Sequence, residues 1–133
     1  MWYEKRVFFS LTIDLFFFFF YQGNKLLSVA LKQANIFLVT KSAAFNWDLC
    51  AAHAILRSIG GQIIDLRNII NYYEQNRTID QVDLSQFEII YNNLKSGRCQ
   101  PKDYACQPFI AFYRSSDLID ILQLFTVNKI LIE

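Results

Sequence analysis

Apolar residues fall into short blocks separated by polar turns, and their spacing changes from block to block. In NKLLSVALKQ, 24–33, Leu26, Leu27, Ala30 and Leu31 recur at helical spacing. NIFLV at 35–39 is a continuous apolar run of strand length, rich in β-formers. Asn46 is a good N-cap residue, and WDLCAAHAILRSI from Trp47 to Ile59 favours helix until Gly60-Gly61 stops it. QIIDL at 62–66 reads as a strand, and the polar stretch 67–86 is expected to hold a helix-like piece and a loop. FEIIY at 87–91 and PFIAFY at 108–113 are further strand candidates; 92–107, with Gly97 and Pro101, reads as loop. Ser115 or Ser116 would cap a last helix, DLIDILQLF, whose leucines and isoleucines mark it as largely buried. Helices alternating with short strands predict α/β layering, a sheet covered by helices. There are no internal repeats.

Before this regular part lies VFFSLTIDLFFFFFY, 7–21. Fifteen residues fall short of the roughly 20 that a spanning helix needs, and Asp14 sits in the middle, where a charge costs about 2.5–3.5 kcal/mol on insertion. Glu4, Lys5 and Arg6 before an apolar run suit a signal peptide in outline, but no small-residue cleavage site follows. Phenylalanine codons contain only pyrimidines, so a phenylalanine run followed by Tyr21-Gln22 reads as a pyrimidine tract ending in CAG, the 3′ end of an intron. Residues 1–22 are therefore expected to be translated intron, with the genuine exon beginning near Gly23. A signal-like segment and an authentic strand or anchor are the alternatives.

Composition narrows the function classes. Hydrophobic content of 53% and 17% aromatics exclude a disordered chain. Thirteen basic residues balance 12 acidic ones without a basic stripe, so no nucleic-acid partner is expected, and no membrane either. Cys50, Cys99 and Cys106 are an odd count without CxxC spacing, which fits a reducing compartment such as the cytoplasm. His53 is the single histidine, so a multi-histidine metal site cannot form within the chain.

The richest stretch is Phe45-Asn46-Trp47-Asp48-Leu49-Cys50-Ala51-Ala52-His53-Ala54-Ile55-Leu56. Taken alone, Asp48 is a helix-capping carboxylate in the first turn, stabilised by the positive end of the helix dipole. His53 is expected to be a hydrogen-bonded structural histidine, and Cys50 a buried small apolar residue without an activating base.

Together, WDLCAAHAILRSIGGQIIDL closely resembles the second signature of the inositol monophosphatase superfamily, Trp-Asp-x-x-Ala followed by a small-residue helix and Gly-Gly. The match is nearest to the branch that removes the 1-phosphate of inositol polyphosphates. GNKLLSVAL before NIFLV is similar to the family's Gly-x-Lys helix and following strand, and PFIAFYRSSDLIDIL to its terminal Tyr-Arg-Ser strand and helix. The resemblance covers about residues 23–126, with 23–133 as the domain, and leaves 1–22 outside it.

The resemblance implies the C-terminal half of a layered α/β/α/β/α sugar-phosphatase fold with a mixed sheet. It implies a Mg²⁺-dependent, lithium-sensitive hydrolase that removes the 1-phosphate from inositol 1,4-bisphosphate and inositol 1,3,4-trisphosphate. Asp48 matches the metal-ligating aspartate of Trp-Asp, and Lys25 the lysine that contacts the bound inositol phosphate. The family's other metal ligands, an upstream acid, a Glu-Glu segment and an Asp-Pro-x-Asp-[Ser/Gly]-Thr motif, are missing. Ala43 and Ala44 replace two threonines, and Tyr21-Gln22 replaces a Gly-Ala step. The chain is therefore expected to be inactive alone, its partners being the inositol phosphate and the missing N-terminal half of the enzyme. A 3′(2′),5′-bisphosphate nucleotidase-like enzyme and a non-catalytic binding module are the other readings.

Overall fold

The computed structural model describes residues 7–10, 22–41, 44–91 and 101–128. The expectations for Asp14, Phe16–Phe20, Ala43, Gly97 and Cys99 lie outside the described residues. Four strands, β1 (Val7–Ser10), β2 (Ile36–Val39), β3 (Gln62–Asp65) and β4 (Phe109–Phe112), form one sheet in the order β1-β2-β4-β3. β1 runs parallel to β2, and β4 is antiparallel to both β2 and β3, so the sheet is mixed, as expected. The four helices are α1 (Gln22–Ala30), α2 (Asn46–Ser58), α3 (Leu66–Asn76) and α4 (Ser115–Asn128).

Alternation along the strands builds two cores. Phe37 and Val39 of β2, Ile63 of β3, and Phe109 and Ala111 of β4 point to the side covered by α1 and α2, where they meet Leu26, Val29, Leu49, Ala52 and Leu56. Ile36, Leu38, Ile64, Ile110 and Phe112 point to the other side and meet Leu66 and Ile69 of α3 and Leu118, Ile121 and Leu122 of α4. A strand buried on both faces reads as an unbroken apolar run, which is why IFLV and FIAF show no polar alternation. Across the middle of the sheet, Ala111 pairs with Phe37 on one side and Ile63 on the other, a small residue between two large ones. Phe109 meets Phe37 edge to face at 5.8 Å.

Helix ends follow local chemistry. The Asp65 carboxylate accepts from the Asn68 N–H at 2.9 Å and opens α3, which ends at Arg77 in the left-handed region, φ 60°. α1 stops at Ala30 rather than continuing to residue 33; Leu31 turns outward and Lys32 takes φ 58°. Gly60, at φ +90°, ends α2, and the Gly61 N–H returns to the Leu56 carbonyl at 2.9 Å.

Two further differences from the sequence reading are informative. FEIIY does not form a strand. Asp83 caps a 3₁₀ turn, Leu84–Phe87, that takes up its first residue; beyond it only a bridge from Glu88 to Ile64 and an Ile89 N–H bond to the Ile63 carbonyl (3.1 Å) touch the sheet. Ile90 is 66% exposed, so no second face is there to bury it. Val7–Ser10, set apart in the sequence reading together with all of 1–22, pairs with β2 in register from Val7–Ile36 to Ser10–Val39.

Candidate functional site

Asp48 lies in the first turn of α2. Its Oδ2 accepts the Phe45 N–H at 3.0 Å, and its own N–H donates to the Phe45 carbonyl at 2.9 Å. The N-cap residue is thus Phe45, not Asn46. Asn46 is instead recruited sideways, its Oδ1 accepting from the Cys106 thiol at 3.0 Å. The Cys106 N–H donates to the Ala44 carbonyl (2.8 Å), and Phe45 bridges Ala105, so the start of α2 is tied to the segment after the 3₁₀ turn Pro101–Tyr104. Aromatic rings close the same corner: Phe45 stacks on Trp47 at 4.6 Å and 9°, and Tyr104 lies 5.7 Å from Trp47.

Burial, with the Asp48 carboxylate adding to it, pushes the Cys106 thiol up to about 11. Cys106 is therefore a protonated hydrogen-bond donor at neutral pH, not a nucleophile. Cys50 proves exposed rather than buried: Leu49, Ala52, His53 and Leu56 take the inner face of α2, and Cys50 lies about 100° of helical rotation from Leu49.

Lys25, half-buried in α1, places Nζ 5.9 Å from the centroid of Phe37. Since α1 packs on α2, Lys25 and Asp48 belong to the same layer, above the same face of the sheet.

Asp48 could give a hard cation one carboxylate, its other oxygen role being the α2 cap. Mg²⁺ needs near-octahedral oxygen donors, and no group of three or more His, Cys, Asp or Glu residues suited to a metal occurs among the described residues. The described donor set does not by itself make a metal centre, and no catalytic step is derived through one.

Sequence reasoning anticipated a structural role for His53 but not its partners. His53 is buried; its Nδ1 lies 2.7 Å from the Tyr91 hydroxyl and its Nε2 3.0 Å from Glu88 Oε1. Because a carboxylate only accepts, Nε2–H donates to Glu88 and Nδ1 accepts from Tyr91. Arg57 Nη1 approaches Glu88 Oε2 at 3.7 Å. The cluster pins segment 88–91 against α2. Burial first, then repulsion from negative charge on the neighbouring Cys106, Cys50 and Glu88 side chains, pushes the Tyr91 hydroxyl well above its usual range.

Burial depresses His53 below 6.5, opposed by Glu88 and reinforced by Arg57. A depressed histidine contributes stability that is present above the unfolded value and lost as pH falls through the folded one. The melting temperature should drop on acidification from about pH 7 to about pH 5, and His53→Gln should flatten that slope. Identical profiles for the two proteins in this window would remove His53 as the cause.

At the far strand end, Arg114 of the Tyr-Arg-Ser step is turned to buried Asp117 (Nε–Oδ2 3.5 Å), which also accepts from Asn35 Nδ2 at 3.4 Å. Among the described residues no helix is long and apolar enough to cross a membrane.

Comparison with known proteins places relatives beside this sequence. The chain is 34% identical over 98 residues to inositol polyphosphate 1-phosphatase of Bos taurus, covering 74% of this chain and 23% of that protein. For the Mus musculus protein of the same name the figures are 32% over 99 residues, 74% and 23%. For the Homo sapiens one they are 32% over 93 residues, 70% and 22%. The chain thus spans under a quarter of the length of the curated relatives it matches. The match to the Inositol monophosphatase family runs over residues 5–104; it takes in β1 and stops before β4 and α4. With that match over most of its length and the Trp47-Asp48 turn opening a helix against a mixed, two-sided sheet, the chain belongs to the inositol monophosphatase family.

Proposed function

We propose that the chain is the C-terminal part of a Mg²⁺-dependent, lithium-sensitive phosphatase that removes the 1-phosphate from inositol 1,4-bisphosphate and inositol 1,3,4-trisphosphate. The observation that carries this is the Asp48 carboxylate, held at the N-terminus of α2 by the Phe45 N–H, in a chain related to inositol polyphosphate 1-phosphatases. A helix N-terminus favours a bound anion and fixes a carboxylate beside it. Asp48 supplies one ligand to the metal, the remaining carboxylates coming from the rest of the enzyme. Lys25, on the neighbouring helix of the same layer, meets a substrate phosphate as a point charge. The enzyme works in the cytoplasm, which suits free thiols at Cys50 and Cys106.

The purified 133-residue chain, assayed with inositol 1,4-bisphosphate and Mg²⁺, should release no phosphate above background. Robust turnover that disappears in Asp48→Asn would show that the chain carries a complete site.

A further inference from the structure

The two ends of the sheet carry different chemistry. Asp48 and its partner Phe45 belong to the end where Val39 pairs with Phe109 and the Cys106 N–H meets the Ala44 carbonyl. At the other end Ile36 pairs with Phe112, so Asn35, just before β2, comes beside Tyr113 and Arg114, just after β4. Strands of four residues put about 10 Å of sheet between the two ends. A cleft of about 220 Å³ lies at this second end, lined by Lys32, Ala34, Asn35, Tyr113, Arg114 and Asp117.

Two cations face the cleft. Lys32 follows α1 at φ 58°, a left-handed conformation that glycine adopts more readily. Backbone bonds fix that turn: the Lys32 N–H donates to the Val29 carbonyl at 3.0 Å, and the Gln33 and Ala34 N–H groups both donate to the Ser28 carbonyl, at 2.9 and 3.1 Å. The exposed Lys32 ammonium stands 4.7 Å from the centroid of the Tyr113 ring, held over the aromatic wall of the cleft. The Arg114 side chain is 54% exposed, and its Nε lies 3.5 Å from Asp117 Oδ2, which Asn35 Nδ2 also meets at 3.4 Å. Asp117 itself is buried. A buried carboxylate is tolerated when paired, and this one fixes the guanidinium at the cleft. A guanidinium has five N–H donors in a rigid fork, more than one carboxylate oxygen takes up. Lys32 and Arg114 set against Asp117 leave the cleft with an excess of positive charge. The start of α4 adds a weaker field of the same sign.

We propose that this cleft binds the phosphoryl group of orthophosphate or of a small phosphomonoester, with Lys32 and Arg114 as its charged donors. A phosphoryl dianion engages both cations, Arg114 through its fork and Lys32 as a point charge. The cleft is smaller than the roughly 300–1,000 Å³ that drug-sized ligands occupy. It suits a small oxyanion, or the phosphate end of a molecule whose remainder stays in solvent. Asp117 is a positioning residue that holds Arg114 in place. The site stands independently of the roles proposed for Asp48 and Lys25.

The test titrates the isotope-labelled full chain with orthophosphate at neutral pH, with sodium chloride holding the ionic strength constant. Amide NMR shifts should concentrate in residues 32–35 and 113–117 and saturate at millimolar phosphate or below. Lys32→Gly should weaken binding about tenfold or more, the loss of one charge-assisted contact. Its melting temperature should stay level or rise, because glycine suits φ 58°. If that variant loses its folded spectrum, Lys32→Asn, also tolerant of positive φ, takes its place. Arg114→Lys keeps a cation beside Asp117 but lacks the fork, and should also bind phosphate more weakly. Lys25→Gln should leave the titration unchanged. A parallel titration with glycerol 3-phosphate identifies the source of the anion. Binding of both assigns the phosphoryl group itself, binding of orthophosphate alone assigns the free ion, and binding of the ester alone assigns an organic phosphate. No shifts in these two segments with either compound, undiminished affinity in Lys32→Gly, or loss of binding in Lys25→Gln would each overturn the proposal.

Discussion

In the enzyme reconstituted from this chain and the remainder of its Bos taurus relative, Asp48→Asn is expected to lower turnover of inositol 1,4-bisphosphate at least about a hundredfold. Loss of an outer partner of a metal ligand already costs about 10–100-fold in metal affinity or activity, and a ligand should cost no less. Asparagine suits the test because its amide oxygen still accepts from the Phe45 N–H, the bond that closes the first turn of α2. What it loses is charge: roughly 0.3–1 kcal/mol of favourable interaction with the helix dipole, and the anionic donor a cation needs. The melting temperature should therefore move by only a few degrees, while magnesium affinity and turnover fall together. A variant with undiminished turnover would leave Asp48 as a helix cap and nothing more.

The two glycines after α2 should respond in opposite ways to the same substitution. Gly60 sits at φ +90° with nothing within 4 Å of a built Cβ, so its requirement is conformational alone. Asparagine tolerates positive φ better than other side chains, and Gly60→Asn should cost about 1 kcal/mol or less. At Gly61 a Cβ would come within 2.6 Å of Leu56 Cγ and 2.9 Å of the Phe112 carbonyl oxygen. Leu56 is fully buried, and Phe112 belongs to central strand β4, so neither can retreat cheaply. Gly61→Asn or Gly61→Ala should therefore cost about 2–3 kcal/mol, at the upper end for overpacking, seen as a melting temperature lower by roughly 10 °C. Equal losses at both positions would mean that conformation, not close packing, governs the pair.

The parts that could be read from sequence were those where one local rule dominates. The α2 helix with its Gly-Gly stop, the strands at 36–39 and 109–112, and the two-sided burial implied by their unbroken apolar runs are of this kind. What escaped depended on partners distant in the chain. FEIIY has the composition of a strand, but Glu88 and Tyr91 are claimed by His53, and the sheet edge takes only one bridge. Asn46 has the chemistry of an N-cap but gives its oxygen to Cys106, 60 residues on. Cys50 looked like core because small sulfur side chains usually are; helical phase turned it outward. At the candidate site, the place of Asp48 in the first turn of a helix was legible, whereas its cap partner Phe45 and the contact of Lys25 with the Phe37 ring had no signal in sequence. The reading of 1–22 as translated intron has against it the pairing of Val7–Ser10 with β2 and a family match that starts at residue 5. Transcript sequence across the Phe16–Phe20 codons is the direct check.

The strand order has a consequence for biosynthesis. Among the described strands, β4 is last off the ribosome yet lies between β2 and β3. Until Phe109–Phe112 emerges, Ile36–Val39 and Gln62–Asp65 have no common neighbour, and each offers hydrogen-bonding edges to whatever strand is nearby. The sheet is thus completed by an event roughly 70 residues after β2 is made, the kind of long-range closure that slows folding and favours aggregation. A nascent chain leaves these edges unjoined from the emergence of β2 to that of β4, and shortening it before residue 109 removes the strand that joins the other two.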